Sequence, residues 1–290
     1  MGVLVGVLLS SLSGFVCLLS ERSTRRLAAL LARVLFGWLG YRRVVINQNL
    51  EASFPELDTE AREALARRVQ LHLALTLLEF LRMPRYAARN FEHVEFAGLE
   101  HYEAALTKGK GILCLAGHLG SFELTAAAVA QMIRPNKLWL VVKPFPSSVD
   151  RFVRSLRRRG GSDVIHAKGA LRSVFTALRR QESVAFVLDQ HAPGDTGVPV
   201  QFFGRPAQGL VALAVVAERT GTPVIAATAH RRPDGSHLLQ VHPEIPLEPQ
   251  ADRASTVQHM TQVYTRVLEN AIRAHPEQWF WSHRRWKAPQ

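Results

Sequence analysis

The sequence predicts an α/β fold in which a mostly parallel sheet is flanked by helices. Short runs of β-branched or apolar residues alternate with longer stretches that carry apolar residues at helical spacing. This alternation is typical of parallel strands joined by crossover helices that cover both faces of the sheet. The predicted strands lie near residues 91–97, 111–116, 138–142, 184–188 and 223–229, and the predicted helices near residues 121–133, 149–158, 169–180, 209–220 and 253–274.

An uncharged apolar segment, Val3 to Leu19, predicts a membrane-anchoring helix ahead of the sheet. As a helix it would extend about 26 Å, which is short of a hydrocarbon core of about 30 Å. No basic residue precedes it and no small-residue cleavage site ends it, so an uncleaved anchor is expected. Arg22, Arg25, Arg26 and Arg33 follow the segment, and such residues favour the cytoplasmic face of a membrane for the remainder of the chain.

The helical region that follows has two interpretations. Leu27 to Leu39 is apolar at helical spacing, which fits either a helix lying in the membrane interface or a helix of the domain core. We take residues 1–40 as the anchor and interfacial helix, and residues 41–290 as one globular domain. A further helix is predicted from Asp58 to Phe80, because Asp58 is a typical N-cap and apolar residues repeat along one helical face.

Charge and cysteine content restrict the class of protein. The formal net charge of +12 and the pI of about 10.6 indicate a surface that attracts anionic partners. No helix-turn-helix, zinc-finger spacing or aromatic-basic RNA motif is visible, which argues against nucleic acid as the partner. Both cysteines lie in apolar runs and none of the 12 histidines has metal-ligand spacing, so neither a disulfide framework nor a metal site is expected.

A histidine and a carboxylate closely follow the predicted strand at residues 111–116. His118 comes two residues after the strand, and Glu123 follows with four residues between them. A carboxylate that holds one ring nitrogen of a histidine fixes the tautomer whose other nitrogen takes a proton from a hydroxyl group. Glu123 in the first turn of the next helix would also be kept ionised by the helix dipole. The alternative is a capped helix beside a histidine that has no catalytic role.

Two other polar groups are candidates for the same site. Asp189 and Gln190 close a predicted strand and are expected to face the crevice of His118, because active sites lie at the carboxyl ends of parallel strands. We favour a positioning role for Asp189 over that of a second base. Ser121 lacks the Gly-x-Ser-x-Gly context of a nucleophile. A basic cluster ends the predicted helix at 149–158 and fits either an anion site or a solvated helix end: Arg154, Arg157, Arg158 and Arg159.

Further motifs accompany the His-x4-acid pair in a fixed order along nearly the whole chain. They are Asn47-Gln48-Asn49-Leu50 with Phe54-Pro55-Glu56, Asp189-Gln190, Phe202-Phe203-Gly204 and Trp281-Ser282-His283-Arg284-Arg285-Trp286-Lys287. Together they resemble the late acyltransferases of lipid A biosynthesis, a branch of the glycerolipid and lysophospholipid acyltransferase superfamily. The chain departs from the branch at Lys143-Pro144, where Arg-Pro is usual, and has Glu123 where the wider superfamily mostly has Asp.

This resemblance implies an activity and a set of site residues. The domain at residues 41–290 would move a fatty acyl group to a hydroxyl of a lipid A precursor, directly from the thioester of acyl carrier protein or coenzyme A. No cofactor, metal or covalent acyl-enzyme is implied. The catalytic residues would be His118, Glu123 and Arg159, with Arg157 the second choice for the arginine. Substrate contacts would come from the remaining motif residues: Arg157, Asp189, Gln190, Phe203, Gly204, Arg284 and Arg285.

Two aromatic groups keep alternative interpretations. Phe202-Phe203-Gly204 either walls an acyl-chain tunnel or has its two phenylalanines packed in the core. Trp279, Trp281 and Trp286 alternate with basic residues, which suits either the headgroup level of a membrane or packing onto the domain. The expected partners are acyl carrier protein, an anionic lipid or glycolipid acceptor, and the membrane.

Two other functions remain open from the sequence. One is a glycerolipid or glycolipid acyltransferase with a different acceptor. The other is a non-catalytic basic membrane-binding protein, which would have no reason to pair His118 with Glu123.

Overall fold

The computed structural model describes residues 2–286, so Lys287 of the C-terminal motif lies outside the described residues. Within that range a seven-stranded sheet has the order β1-β9-β8-β2-β5-β3-β4. The five strands from β8 to β4 are parallel to one another, while β9 and β1 run in the opposite direction at one edge. The strands are β1 (Val94–Ala97), β2 (Ile112–Ala116), β3 (Leu138–Val142), β4 (Asp163–His166), β5 (Ser183–Val187), β6 (Gly197–Phe202), β7 (Arg205–Leu210), β8 (Val224–Arg231) and β9 (His237–Ile245).

Helices cover both faces of this sheet, as the sequence predicts. Ile112 and Cys114 of β2 face one hydrophobic core, and Leu113 and Leu115 face the other, because successive side chains of a strand point to opposite faces. The helices are α1 (Gly2–Leu18), α2 (Glu21–Ala32), α3 (Arg43–Ser53), α4 (Thr59–Leu81), α5 (Met83–Ala88), α6 (Leu99–Leu106), α7 (Phe122–Met132), α8 (Ser147–Arg159), α9 (Ala170–Arg179), α10 (Ala212–Thr220) and α11 (Arg253–Ala274), with a π-helical turn at Arg33–Trp38 and 3-10 turns at Gly194–Thr196 and Pro276–Gln278.

The predicted elements are confirmed to within a few residues. The predicted start of α4 is confirmed in detail, since Asp58 accepts a hydrogen bond from the backbone N–H of Ala61 at 2.8 Å. Elements that the sequence analysis missed are α3, α5, α6, β4, β9 and the β6–β7 hairpin.

The β6–β7 hairpin replaces an expected irregular loop. Phe202 pairs with Arg205, so Phe203 and Gly204 form a two-residue turn. Their φ angles are +55° and +67°, which is the combination that a type I′ hairpin turn requires. Gly204 therefore serves the turn, because glycine adopts this region at no steric cost.

The predicted N-terminal helix exists. No helix among the described residues is long and apolar enough to cross a membrane. Instead α1 packs along α4 and α8. Ser13 donates to the backbone oxygen of Leu81 at 2.6 Å, and Arg85 donates to that of Cys17 at 2.7 Å. The opposite side of α1 exposes a row of large apolar side chains: Leu4, Val7, Leu8, Leu12, Phe15 and Leu18.

Candidate active site

The parallel register of β2 and β5 places His118 beside Asp189. Ala116 of β2 pairs with Val187 of β5, and each candidate lies two residues beyond its member of that pair. Both side chains therefore emerge from the carboxyl end of the sheet at neighbouring positions. Asp189 is buried, with 2% of its surface exposed, whereas His118 borders a cavity.

Three hydrogen bonds hold the Asp189 carboxylate. His118 donates to Oδ1 from its ring Nδ1 and to Oδ2 from its backbone N–H, both at 2.8 Å. Trp279 donates to Oδ2 from its indole nitrogen at 2.6 Å. With the proton on Nδ1, the Nε2 of His118 is an acceptor, and the side-chain amide of Gln190 lies 3.3 Å from it. This is the tautomer in which an imidazole can take a proton from a substrate.

Charge on the pair reinforces this arrangement. Burial favours neutral imidazole, but the charge of Asp189 and its hydrogen bond to the ring outweigh burial and raise the pKa of His118. Burial also acts against the ionised carboxylate, yet the charge of His118 and the hydrogen bonds from His118 and Trp279 lower the pKa of Asp189 to about 2. Asp189 is thus ionised throughout the physiological range.

Glu123 has a different partner from the one that we expected. It lies in the first turn of α7 and forms a two-point ion pair with Arg157, from Nε to Oε2 at 2.9 Å and from Nη2 to Oε1 at 2.5 Å. The prediction that Glu123 orients the ring of His118 is therefore wrong in its contact. Asp189 makes that contact because the register of β2 and β5 brings it next to the ring of His118. The Glu123 carboxylate is bound instead by the nearly buried guanidinium of Arg157.

The arginine at the site is Arg157, which the sequence analysis ranked second. Both Arg157 and Glu123 line the same cavity as His118. Arg159 is exposed at the end of α8 and does not line this cavity, so the structure does not place it beside His118. The local pattern could not decide between them, because a shift of two residues on a helix changes which face an arginine occupies.

An apolar cavity of about 560 Å³ opens beside His118. It extends beneath α7 along one face of β2, β3 and β5. Cys114 lies four residues before His118, so the cavity reaches about 13 Å along the strand from the histidine. Side chains along this length are mostly small or aliphatic, for example Cys114, Ala116, Ala126, Val129, Leu138 and Leu140.

The loop that carries His118 is fixed by close backbone packing. Gly120 has a φ of +63°, and a Cβ there would lie 2.4 Å from the backbone oxygen of Ala229. Its N–H donates to the backbone oxygen of Gln278 at 2.9 Å. Glycine is therefore required for the turn that separates His118 from α7.

The two aromatic motifs form a packed cluster behind the site. Trp279 and Trp281 are buried, so the headgroup-level interpretation is wrong for both and the packing interpretation is confirmed. Phe203 is buried against Phe54 and Trp281, with ring centroids 5.5 and 5.7 Å away. Phe203 and Gly204 do not line the cavity, which is inconsistent with their expected role as walls of an acyl tunnel.

Arg284 and Arg285 also differ from expectation. Arg284 is exposed and lies outside the cavity lining. Arg285 is 1% exposed, donates to the backbone oxygen of Gln208 at 2.8 Å, and stacks over Phe202 at 5.0 Å. Burial lowers its pKa to about 10. Arg285 is therefore placed to brace the β6–β7 hairpin against the C-terminal motif.

The first motif is joined to the last one. The side-chain amide of Asn49 donates to the backbone oxygens of Trp281 and His283, both at 2.8 Å. These contacts hold the segment that follows Trp279, the residue whose indole nitrogen binds Asp189. The sequence analysis missed this contact of Trp279 with Asp189. The sequence contains several tryptophans near its C-terminus, and only the packing shows which of them reaches the site.

Within residues 2–286, no three His, Cys, Asp or Glu side chains are grouped so as to hold a metal ion. What the site offers is a histidine on a buried carboxylate, an ion-paired arginine and an apolar chamber at the carboxyl edge of an α/β sheet. Fold and site together define an acyltransferase as the class of protein. The chain belongs to the bacterial lipid A biosynthesis acyltransferase family, whose sequence profile matches residues 7–288.

Relatives of known function agree with this assignment. The chain is 25% identical over 255 residues to the lipid A biosynthesis palmitoleoyltransferase of Escherichia coli K12, covering 86% of this chain and 80% of that one. It is 26% identical over 275 residues to the lipid A biosynthesis lauroyltransferase of the same organism, covering 90% and 84%. It is also 26% identical over 227 residues to the phosphatidylinositol mannoside acyltransferase of Mycobacterium tuberculosis H37Rv, covering 72% and 66%.

These matches confirm the family resemblance seen in the motifs and the prediction that the protein is an acyl-transferring enzyme. The alternative of a non-catalytic basic membrane-binding protein is set aside.

Proposed function

We propose that the protein transfers a fatty acyl group from the thioester of acyl carrier protein to a hydroxyl of a lipid A precursor. The observation that carries this proposal is the His118–Asp189 pair at the mouth of the apolar cavity. The donor chain would occupy the cavity, and the acceptor hydroxyl would approach the Nε2 of His118 from outside.

The chemistry needs no covalent acyl-enzyme, because the donor is already a thioester. His118 Nε2 removes the hydroxyl proton while the oxygen attacks the thioester carbonyl. The tetrahedral intermediate then collapses, its C–S bond breaks, and the leaving thiolate takes the proton back from Nε2. Asp189 stays ionised and stabilises the transient imidazolium through Nδ1.

Arg157 would stabilise the developing oxyanion. Glu123 occupies its Nε and Nη2, which leaves Nη1 available to the substrate, and the ion pair fixes the plane of the guanidinium. Backbone amides at the N-terminus of α7 would add to this stabilisation through the helix dipole. Glu123 thus becomes a positioning residue for Arg157 in this proposal.

Acyl carrier protein is the favoured donor because the entrance to the cavity is basic. Lys143 lies on the rim, and α8 carries Arg158 and Arg159 exposed beside the buried Arg157. An acidic carrier would be attracted to this surface and to the chain as a whole, whose formal net charge is +12. The exposed position of Arg159 suits docking better than catalysis.

The proposed location is the cytoplasmic face of the inner membrane. Besides the apolar row of α1, Trp38, Leu39, Tyr41 and Val44 are exposed. A helix with one apolar face exposed inserts into the headgroup region without crossing the bilayer. The enzyme would then take its lipid acceptor from the membrane surface.

A second candidate acceptor is a phosphatidylinositol mannoside or a similar glycolipid, which is favoured by the mycobacterial relative. The test is transfer of radiolabelled acyl chains from acyl carrier protein or coenzyme A to a panel of acceptors, with H118A as the blank. Labelling of a lipid A precursor from the carrier supports the proposal. If only the mannoside is labelled, the proposed acceptor is wrong. If label is transferred only from coenzyme A, the proposed donor is wrong.

A further inference from the structure

A second cavity, of about 400 Å³, lies between α2, α4 and the turn that joins β8 to β9. Its lining is strongly charged, unlike that of the apolar chamber beside His118. Among the residues that the structure describes, the arginines of this lining are Arg25, Arg68, Arg231 and Arg232, and the carboxylates are Glu21, Glu79 and Glu277.

The floor of this cavity is a satisfied ion-pair network. Arg231 binds both oxygens of the buried Glu79 and donates to Nδ1 of His72 at 2.7 Å. Burial and the charge of Arg231 lower the pKa of His72 to about 3, so this histidine is neutral at physiological pH. The charges of Arg231 and Glu79 compensate each other, so the floor adds no net charge to the cavity.

Two of the four arginines in the lining have no carboxylate ion-pair partner among the described residues. Glu21 is bound by the buried Arg82, and Arg232 by Glu95 at 2.6 Å. No described carboxylate lies within ion-pair distance of Arg25 on α2 or Arg68 on α4, and both line the cavity. Arg25 also donates to the backbone oxygen of Asp234, and Glu277 on the same lining has no described ion-pair partner. Two guanidinium groups around a concave site suit a doubly charged phosphate monoester, whose oxygens accept paired N–H donors.

The second cavity adjoins the active site. Glu277 and Gln278 line it, and the next two residues, Trp279 and Phe280, line the chamber of His118. On β8, Ala229 lines the chamber and Arg231 lines the second cavity, a separation of about 7 Å along the strand. The two linings therefore share the same stretches of chain, at β8 and at residues 277–280.

We propose that the second cavity binds a phosphate monoester carried on the acceptor headgroup, so that the headgroup is held while its hydroxyl meets His118. That the phosphate belongs to the acceptor rests on the proposed function, whereas binding of a sugar phosphate does not. Glu277 would accept hydrogen bonds from neighbouring sugar hydroxyls, whereas the side chain of Gln278 is already bonded to the backbone of Arg231.

The chain offers a charge-matched control for the test. Arg26 and Arg67 are the exposed sequence neighbours of Arg25 and Arg68, and neither lines the cavity. The variant R25Q/R68Q therefore removes the same charge as R26Q/R67Q. Arg67 loses only an exposed ion pair with Glu63, which is worth little.

Binding is measured by calorimetry on the full-length protein, with N-acetylglucosamine 1-phosphate, N-acetylglucosamine and inorganic phosphate as probes. We expect the sugar phosphate to bind, the uncharged sugar not to bind, and inorganic phosphate to bind more weakly than the sugar phosphate. R25Q/R68Q should weaken sugar-phosphate binding by roughly tenfold or more, since hydrogen bonds to charged groups contribute this much. R26Q/R67Q should bind like the wild type, and so should H118A.

Transfer kinetics supply the second arm. With a phosphorylated acceptor, R25Q/R68Q should raise KM roughly tenfold with little change in kcat, and enzymatic removal of the acceptor phosphate should abolish the difference from wild type. Equal losses in both double variants would show general electrostatic attraction and overturn the site. So would inorganic phosphate binding as tightly as the sugar phosphate. Sugar-phosphate binding without any acyl transfer would leave the site standing and reject the proposed function.

Discussion

Replacing Asp189 with asparagine tests the pair on which the proposed mechanism depends. The carboxylate accepts from two N–H groups of His118 and from Trp279, whereas an asparagine has one acceptor oxygen and an amide that donates. An amide that faces the ring would donate to Nδ1 and move the ring proton to Nε2. The base nitrogen would then be blocked, so we expect kcat to fall by about 10²–10⁴.

The same substitution predicts a change in pH dependence. The base must be neutral, so kcat/KM rises with pH through the pKa of His118, which Asp189 raises above its ordinary value of 6.5. Without the carboxylate that pKa falls, so the acidic limb of residual activity should move to lower pH. Radiolabelled acyl transfer measured across pH, for the wild type and for D189N, gives both quantities.

Stability sets the control for D189N. Asparagine removes one acceptor oxygen, so one of the N–H groups that bind Asp189 is left buried without a partner. This lowers the free energy of unfolding by about 1–3 kcal/mol. For a chain of this size that lowers Tm by roughly 2–10 °C, so the variant should remain folded at the assay temperature. Near-normal kcat in folded D189N, or an acidic limb that does not move, would refute the assignment of Asp189 as the partner of the base.

Three further outcomes follow from the structure. R157K should cut kcat at least tenfold, because an ammonium cannot reproduce the two-point contact, while R159K should retain turnover in the same assay. C114F should shorten the preferred acyl chain, because a larger side chain at Cys114 fills the part of the cavity that lies about 13 Å from His118, and a chain-length series of donors reads this out. Polar substitution of Leu8 and Phe15 should weaken binding to vesicles in flotation assays while leaving thermal unfolding unchanged, and binding equal to that of the wild type would reject insertion of α1.

The sequence predicts those elements of the fold that depend only on residues close together in the chain. Helix α4 and strand β2 follow from a capping residue and an apolar run, so both were identified. Strand β9 was missed because Pro243 interrupts it, and the structure accommodates the proline in a region where the β8–β9 register shifts. The β6–β7 turn was missed because a phenylalanine seldom adopts a positive φ angle.

The candidate site shows the same limit. His118 was identified because its strand and loop are local, and Asp189 was expected nearby as a positioning residue. That Asp189 and not Glu123 holds the ring depends on β5 lying beside β2, although β3 and β4 come between them in the sequence. Strand order is a property of the whole sheet, so the spacing of His118 and Glu123 could not exclude the wrong partner.

A single-turnover experiment with radiolabelled acyl carrier protein tests the central claim most directly. Wild-type protein mixed with labelled donor and lipid A precursor should pass the label to the acceptor, and none should remain on the protein after denaturation. Folded H118A should slow this transfer by about 10²–10⁴ without trapping label. Transfer at the wild-type rate by H118A, or label held covalently on either protein, would contradict direct transfer with His118 as the base.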